Sequence, residues 1–262
     1  MHFNLPETVN LINEKSLCYF VFPSFQSFPL RHAIFTRLGG YSEGPYHSLN
    51  VSQDVGDRIC CVDKNLQKIK TFLGADCLVW AKQAHGKRVL IIKDKRKLNK
   101  SYIGFDALVT DQPMVALLVK LADCQAIFLY DSFRKVIANI HCGWRGNILD
   151  IIGITIKAMI MEFDTSPSDL WAAISPSLGP CCSEFKDYQK QLPESFWAYQ
   201  IKPNYFNFWK ISINQLINAG VPHSQIILAN ICSACLPLFF FSYRRDKRTG
   251  RFGAIIMLKD TF

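Results

Sequence analysis

The stretch "MVALLVKLADCQAIFLYDSFRKVIANIHCGWRGN", residues 114–147, decides the fold. It holds three apolar runs, "MVALLVKLAD", "AIFLYD" and "VIANIHC", with "SFRK" turning the chain between the second and the third. Short runs rich in Val and Ile, without alternation of polar residues, read as strands covered on both faces. The runs also end in residues that a packed core does not require. Cys124 stands between the first two, His141 closes the third, and a tryptophan and an arginine follow, with a glycine on each side of the pair.

On either side of this stretch, helical and extended patterns are mixed. "NILDIIGITIKAMIMEF" puts Ile148, Ile151, Ile152, Ile156, Met159, Ile160 and Phe163 on one helical face, with Asn147 as N-cap. "CVDKNLQKIKTFLG" has Val62, Leu66, Ile69 and Leu73 at helical spacing and Gly74 placed to end the helix. "CLVWAK" and "RVLII" read as strands around the polar turn "QAHGK", which brings His85 to a strand end. "LWAAISPSLGP", "QIILAN" and "GAIIML" add strands, and "WKISINQLINAG" a helix stopped at Gly220. No repeat, low-complexity stretch or linker divides the chain. The pattern predicts an α/β fold, a single three-layer α/β/α domain with a mixed β-sheet over residues 1–262.

Composition narrows the function classes. Hydrophobic residues make up 49% and charged ones 19%, which excludes a disordered chain. The longest apolar run is broken by Lys120 and Asp123, so no membrane span is expected, and "MHFNLPETVN" lacks a secretory signal, which makes the cytoplasm the expected location. A net charge of +9 suits nucleic acid, an acidic surface or a phosphorylated small molecule. Ten cysteines, with vicinal pairs at Cys60/Cys61 and Cys181/Cys182, look like reduced thiols and not like a disulfide framework.

Five segments carry candidate chemistry. His85, Cys124 and His141 lie at strand ends, where two imidazoles and a thiolate suit zinc, and where Cys124 would equally serve as a nucleophile with a histidine base. "HCGWRGN" reads as a strand passing into a helix N-terminus, an anion pocket with Arg145 as donor, or as a plain tight turn. "FTRLGGYSEGPYHSLNVSQDVGD" is either a surface loop or a second anion contact through Arg37. "FFFSYRRDKRTGRFG" brings aromatics to Arg244, Arg245, Arg248 and Arg251; single-stranded nucleic acid is one reading, a buried strand leading to a basic turn the favoured one. "CSAC", with Cys232 and Cys235, has the spacing of a redox pair or half a zinc knuckle, and a structural cysteine cluster is favoured. The basic run "KDKRKLNK" at 93–100 is expected to be a solvated loop.

Taken in order, "TRLGGYSEGPYHSLNVSQDVGD", "QAHGKRV", "DALVTD", "LADC", "HCGWRG", "GPCC" and "LFFFSYRRDKRTGR" resemble one family over about residues 32–258. It is the family of bacterial peptidoglycan editing factors and purine nucleoside phosphorylases, formerly labelled multicopper polyphenol oxidoreductases. The resemblance implies a zinc site falling on His85, Cys124 and His141. It further implies phosphorolysis of adenosine, inosine, guanosine and methylthioadenosine, with adenosine deamination, and in some members removal of wrongly built peptidoglycan precursors. Phosphate would then sit near Arg145 and Arg37, with Asp123 steering a proton or a hydrogen bond. Deamination would need another acid/base, Asp123 or Asp106, because the H-x-E signature is absent. Copper is disfavoured by the lack of dense His-x-His pairs. Two departures stand out: Gln125 and Ala126 follow "ADC" where a small or apolar residue and proline are usual, and Ser183 follows "GPCC" where tyrosine is common. The expected partners are a purine nucleoside and phosphate, with the chain a monomer or weak homodimer. The rivals are a cysteine or zinc hydrolase acting on cell-wall precursors and a basic nucleic-acid-binding module.

Overall fold

The computed structural model describes residues 5–98 and 102–260. The apolar runs form strands Val115–Leu121, Gln125–Asp131 and Val136–Cys142, every residue of them buried. The α/β class holds, but the strands divide between two six-stranded sheets. One runs in the order Asn10–Glu14, Leu17–Val21, Leu30–Phe35, Phe252–Leu258, Val115–Leu121, Cys77–Val79. The other runs Ile226–Leu228, Leu170–Ile174, Gln125–Asp131, Val136–Cys142, Ala107–Thr110, Val89–Ile92. Both sheets are mixed: parallel pairs occur at Cys77–Val79 in the first and at both outer strands of the second, and the remaining pairs are antiparallel.

Side-chain alternation explains why the strand runs are apolar throughout. Phe128 and Tyr130 pack with Leu117, Val119, Ala254 and Ile256 in the core between the sheets. Their neighbours Ile127 and Leu129 pack outward with Ile151, Ile152 and Ile156 of helix Ile151–Phe163 and Leu216 of helix Phe208–Asn218. On the opposite side Ala116 and Leu118 meet Val62, Leu66 and Ile69 of helix Ile59–Leu73. The layers are therefore helix, sheet, sheet, helix. A strand covered by a helix and one covered by a second sheet look alike in sequence, which is why the doubling was not legible.

One polar side chain crosses the seam. Asn139 is fully buried, and its amide donates to the carbonyls of Leu117, at 2.8 Å, and Ala254, at 2.9 Å, both in the opposite sheet. Backbone carbonyls in such a core lose free energy when left without a donor.

Several local expectations are corrected. The segment after His141 is not one helix: Trp144–Ile148 is a five-residue turn of helix, and the long helix starts at Ile151. Asp150, not Asn147, is its N-cap, accepting from the Gly153 N–H at 3.2 Å. Asn147 is buried and donates to Ser212 and Gln215 instead, while Ile148 and Ile160 are exposed. Phe239–Phe241 is buried, as expected, but as a loop and not a strand. In the basic run, Lys95–Lys97 forms a surface 3-10 turn, and its last two residues lie outside the described ones.

Asn139→Ala removes both inter-sheet donors and leaves a cavity, so it is expected to lower the unfolding free energy by about 2–4 kcal/mol. Urea denaturation checks this. A loss below about 0.5 kcal/mol would show that the sheets do not rely on the amide.

Candidate metal centre and the cavity beside it

Cys124 lies at the corner where the chain leaves the first sheet at Leu121 and enters the second at Gln125. His141 is one strand away, paired in register with Ala126, and its side chain is on the same face of its strand as Asn139, turned toward the first sheet. His85 comes from the loop between Ala81–Lys82 and Val89–Ile92, held at a positive φ of 57°. The two imidazoles stand edge to face with ring centroids 4.8 Å apart, and the ligand atoms of His85, Cys124 and His141 all lie within 4.8 Å of one another.

Asp106 draws this group together. Its carboxylate accepts from the N–H groups of Ala84, His85 and Gly86 at 3.2, 2.9 and 2.8 Å, and pairs with His141 Nδ1 at 2.8 Å. One carboxylate thus fixes both the loop that carries His85 and the ring of His141. Burial would raise the Asp106 carboxyl, but the bonds to His141, Gly86 and Ala84 outweigh it and keep it ionised. With Nδ1 committed, His141 presents Nε2 to the centre.

Gly143 makes room. A Cβ there would stand 2.8 Å from Cys124 Sγ and 3.5 Å from His85 Cδ2, so a side chain at this position would push into the ligands. The same tight approach explains one of the two glycines that flank Trp144 and Arg145.

The electrostatics suit a cation. Burial opposes ionisation of the Cys124 thiol, yet the two imidazoles bring it down to about 6. Burial likewise opposes charging His141, and the Cys124 thiolate and Asp106 raise it to about 9. Without metal these opposed shifts favour a thiolate facing an imidazolium. A soft thiolate and two imidazoles with a carboxylate behind one of them form a donor set that fits zinc, with a position left open for substrate.

A cavity of about 910 Å³ opens beside this centre, a volume of the size that takes a small organic ligand. Trp144, Phe185, Phe208 and Tyr243 line it together with Lys120, Arg145, Arg244 and Arg251. Trp144 and Phe185 meet edge to face at 5.8 Å. Lys120 is buried with Asp54 at 3.5 Å. Burial pulls the pKa of Arg251 down, while Cys124, Asp123 and Tyr243 support its charge.

The other expected site residues separate. Arg145 lines the cavity with its guanidinium 4.1 Å from the Trp144 ring centroid, but the helix behind it is too short to furnish the anticipated anion pocket. Arg37 does not line the cavity: it donates to the carbonyls of His47 and Pro237 and lies over Phe241. Asp123 lines it, but both its oxygens are engaged, by Ser233 Oγ at 2.7 Å and the Arg244 N–H at 2.6 Å. In the basic run near the C-terminus, three of the four arginines spend their guanidinium groups on nearby carbonyls, and Arg248 donates to Tyr46 Oη at 3.3 Å. Arg244 donates to the carbonyls of Cys182 and Glu184, Arg245 to those of Ser233, Ala234 and Phe240, and Arg251 to those of Thr249 and Gly250. Sequence reasoning missed Lys120 and Phe185 as cavity residues and valued Asp106 only as an acid/base. A lysine in the middle of an otherwise apolar buried strand was the available signal.

Fold and site together define a class: a two-sheet α/β protein with a histidine–cysteine–histidine centre beside an aromatic, cationic cavity. The chain belongs to the family described as multi-copper polyphenol oxidoreductase laccase, whose pattern matches residues 31–259. It is 32% identical over 247 residues to a purine nucleoside phosphorylase of Bacteroides thetaiotaomicron, covering 87% of this chain and 92% of that protein. It is 29% identical over 242 residues to the purine nucleoside phosphorylase YlmD of Bacillus subtilis, covering 86% and 87%. The crystal structure of the hypothetical protein YfiH of Bacillus licheniformis superposes with a TM-score of 0.87 at 28% identity, over 97% of this chain and all of the other. Among the described residues no helix is long and apolar enough to cross a membrane.

Asp106→Asn weakens the hold on His141, and zinc affinity is expected to fall roughly 10–100-fold in chelator competition. In metal-free protein, thiolate absorbance measured as the difference from Cys124→Ser should titrate near pH 6. In His141→Ala the midpoint should move up, because loss of the imidazolium destabilises the thiolate. An unmoved midpoint would show that the pair is not electrostatically coupled.

Proposed function

We propose that this protein is a zinc-dependent purine nucleoside phosphorylase. The observation that carries the reading is the placement of the His85–Cys124–His141 group on the wall of a cavity that offers both aromatic rings and buried cations. The names of its relatives point the same way.

His85, Cys124 and His141 would hold the zinc through imidazole nitrogens and the thiolate. The ion, when bound, supplies a fixed positive charge that polarises an oxygen of phosphate or ribose. Trp144, Phe185 and Phe208 furnish apolar faces for a purine. Lys120 and Arg251, cations already partly desolvated, hold phosphate more firmly than exposed Arg145, and Arg37 takes no part. As the glycosidic bond breaks, its electron pair leaves with the base and a phosphate oxygen bonds to the sugar carbon. Preorganised cations favour that charge distribution and align the nucleophile. Asp123 and Asp106 act as positioning residues, since their oxygens are held by the protein itself. That arrangement favours phosphorolysis over adenosine deamination, which needs a mobile proton shuttle. Gln125 tunes base choice: it lines the cavity next to Cys124, and its amide is directed to the Phe208 carbonyl at 3.4 Å.

A second reading rests on the same atoms. A Cys124 thiolate facing His141, itself oriented by Asp106, is the arrangement of a thiol nucleophile with its base. A hydrolase of cell-wall precursor amides is the corresponding function. Cys124→Asp separates the two, because a carboxylate still ligates zinc but forms no thioester.

Product chromatography after incubation with adenosine, with and without phosphate, tests the proposal. Phosphate-dependent adenine is expected, with kcat/KM reduced at least about 100-fold, roughly 2.7 kcal/mol, in His141→Ala. Arg251→Gln should raise the phosphate KM about tenfold. Phosphate-independent inosine would indicate deamination instead, and no purine product at all would leave the hydrolase as the better reading.

A further inference from the structure

We propose that Cys181, Cys182, Cys232 and Cys235 form a second metal site, a structural tetrathiolate that takes zinc. It lies outside the His85–Cys124–His141 group and does not depend on the phosphorylase reading. The four sulfurs come from two segments about fifty residues apart in sequence, a vicinal pair after Gly179 and the "CSAC" loop, and all lie within 4.8 Å of one another. A tetrahedral zinc with bonds of about 2.3 Å requires sulfurs about 3.8 Å apart. Cys181 and Cys235 stand 3.7 Å apart, and Cys182 and Cys235 3.5 Å. These separations are close to a tetrahedron edge and far beyond a disulfide bond of about 2.05 Å.

The surroundings hold the four sulfurs at close quarters. The Gly179 N–H donates to Cys232 Sγ at 3.3 Å, and a Cβ on Gly179 would stand 2.9 Å from Cys232 Cβ and 3.3 Å from Cys181 Sγ. A side chain there would force the two segments apart. Four thiolates and one zinc ion leave two negative charges. Arg244 and Arg245 stand behind the two loops, the first donating to the carbonyl of Cys182 and the second to those of Ser233 and Ala234. The segments are also laced by backbone: Ser177 and Ser233 share a bond at 2.9 Å, and Ser177 pairs with Cys232 in a short parallel bridge.

The role that follows is to clamp the cavity wall. Ser183, Glu184 and Phe185 line the cavity immediately after the vicinal pair, and Ser233, inside the "CSAC" loop, holds Asp123. Four thiolates on one ion would fix both segments relative to the His85–Cys124–His141 centre without touching substrate.

The test is metal content and ligand type in protein purified under reducing conditions without chelator. Wild type should hold about two zinc ions per chain, and Cys232→Ser/Cys235→Ser about one, with a lowered Tm. Because that variant risks misfolding, X-ray absorption on His85→Ala/His141→Ala provides an independent arm. It should retain about one zinc with an all-sulfur shell at about 2.3 Å. A Cys232→Ser/Cys235→Ser variant that keeps as much zinc as wild type, a histidine variant holding none or showing nitrogen or oxygen in its shell, or a non-reducing peptide map with these cysteines in disulfides would each overturn the proposal.

Discussion

The carboxylate of Asp106 is the constraint on which the site depends. It accepts from three consecutive backbone N–H groups of the His85 loop while pairing with His141 Nδ1. The loop has no regular ladder of its own to fix it there, and His85 sits at a left-handed φ that a non-glycine residue adopts only when its surroundings hold it. A single buried negative charge therefore sets the position of two ligands from distant parts of the chain. It also keeps the imidazole of His141 oriented toward the thiol.

The two-sheet seam makes that arrangement possible. Cys124 lies where the chain crosses from one sheet to the other, and His141 ends a strand that Asn139 stitches to the opposite sheet. The rigidity of a packed core thus extends to the edge at which the ligands emerge. The cavity opens at this edge, where loops from both sheets meet, and two of its cations are tied down by the protein, Arg251 by the carbonyls of Thr249 and Gly250 and Lys120 by Asp54.

Much of this was legible in sequence. The buried strands announced themselves by unbroken apolar runs and the helices by their spacing and by Gly74 and Gly220, whereas strand-end placement alone left His85, Cys124 and His141 open and the family resemblance singled them out. The doubling of the sheet was not legible, since alternate residues on a strand face different layers that are both apolar. The arginines at 244–251 followed a Phe run read as buried, but a sequence does not show that Arg244, Arg245 and Arg251 are consumed by nearby carbonyls. Arg37 likewise spends its guanidinium on the carbonyls of His47 and Pro237. The four-cysteine group was half visible as "CSAC". Its other half lay some fifty residues earlier, and fold contacts at Ser177 and Gly179 bring the two together. Asp106 drew notice as a proton carrier, whereas its neighbours in space give it a holding role.

The proposed phosphorolysis requires that His85, Cys124 and His141 hold a metal beside the bound nucleoside. The most direct measurement is ribose 1-phosphate formation from adenosine by wild-type protein stripped of metal and then reloaded with stoichiometric zinc. Activity is expected to disappear on stripping and to return on reloading, and to remain absent when His85→Ala/His141→Ala is treated in the same way. Equal ribose 1-phosphate formation by stripped and reloaded protein, or none by either, would contradict the proposal.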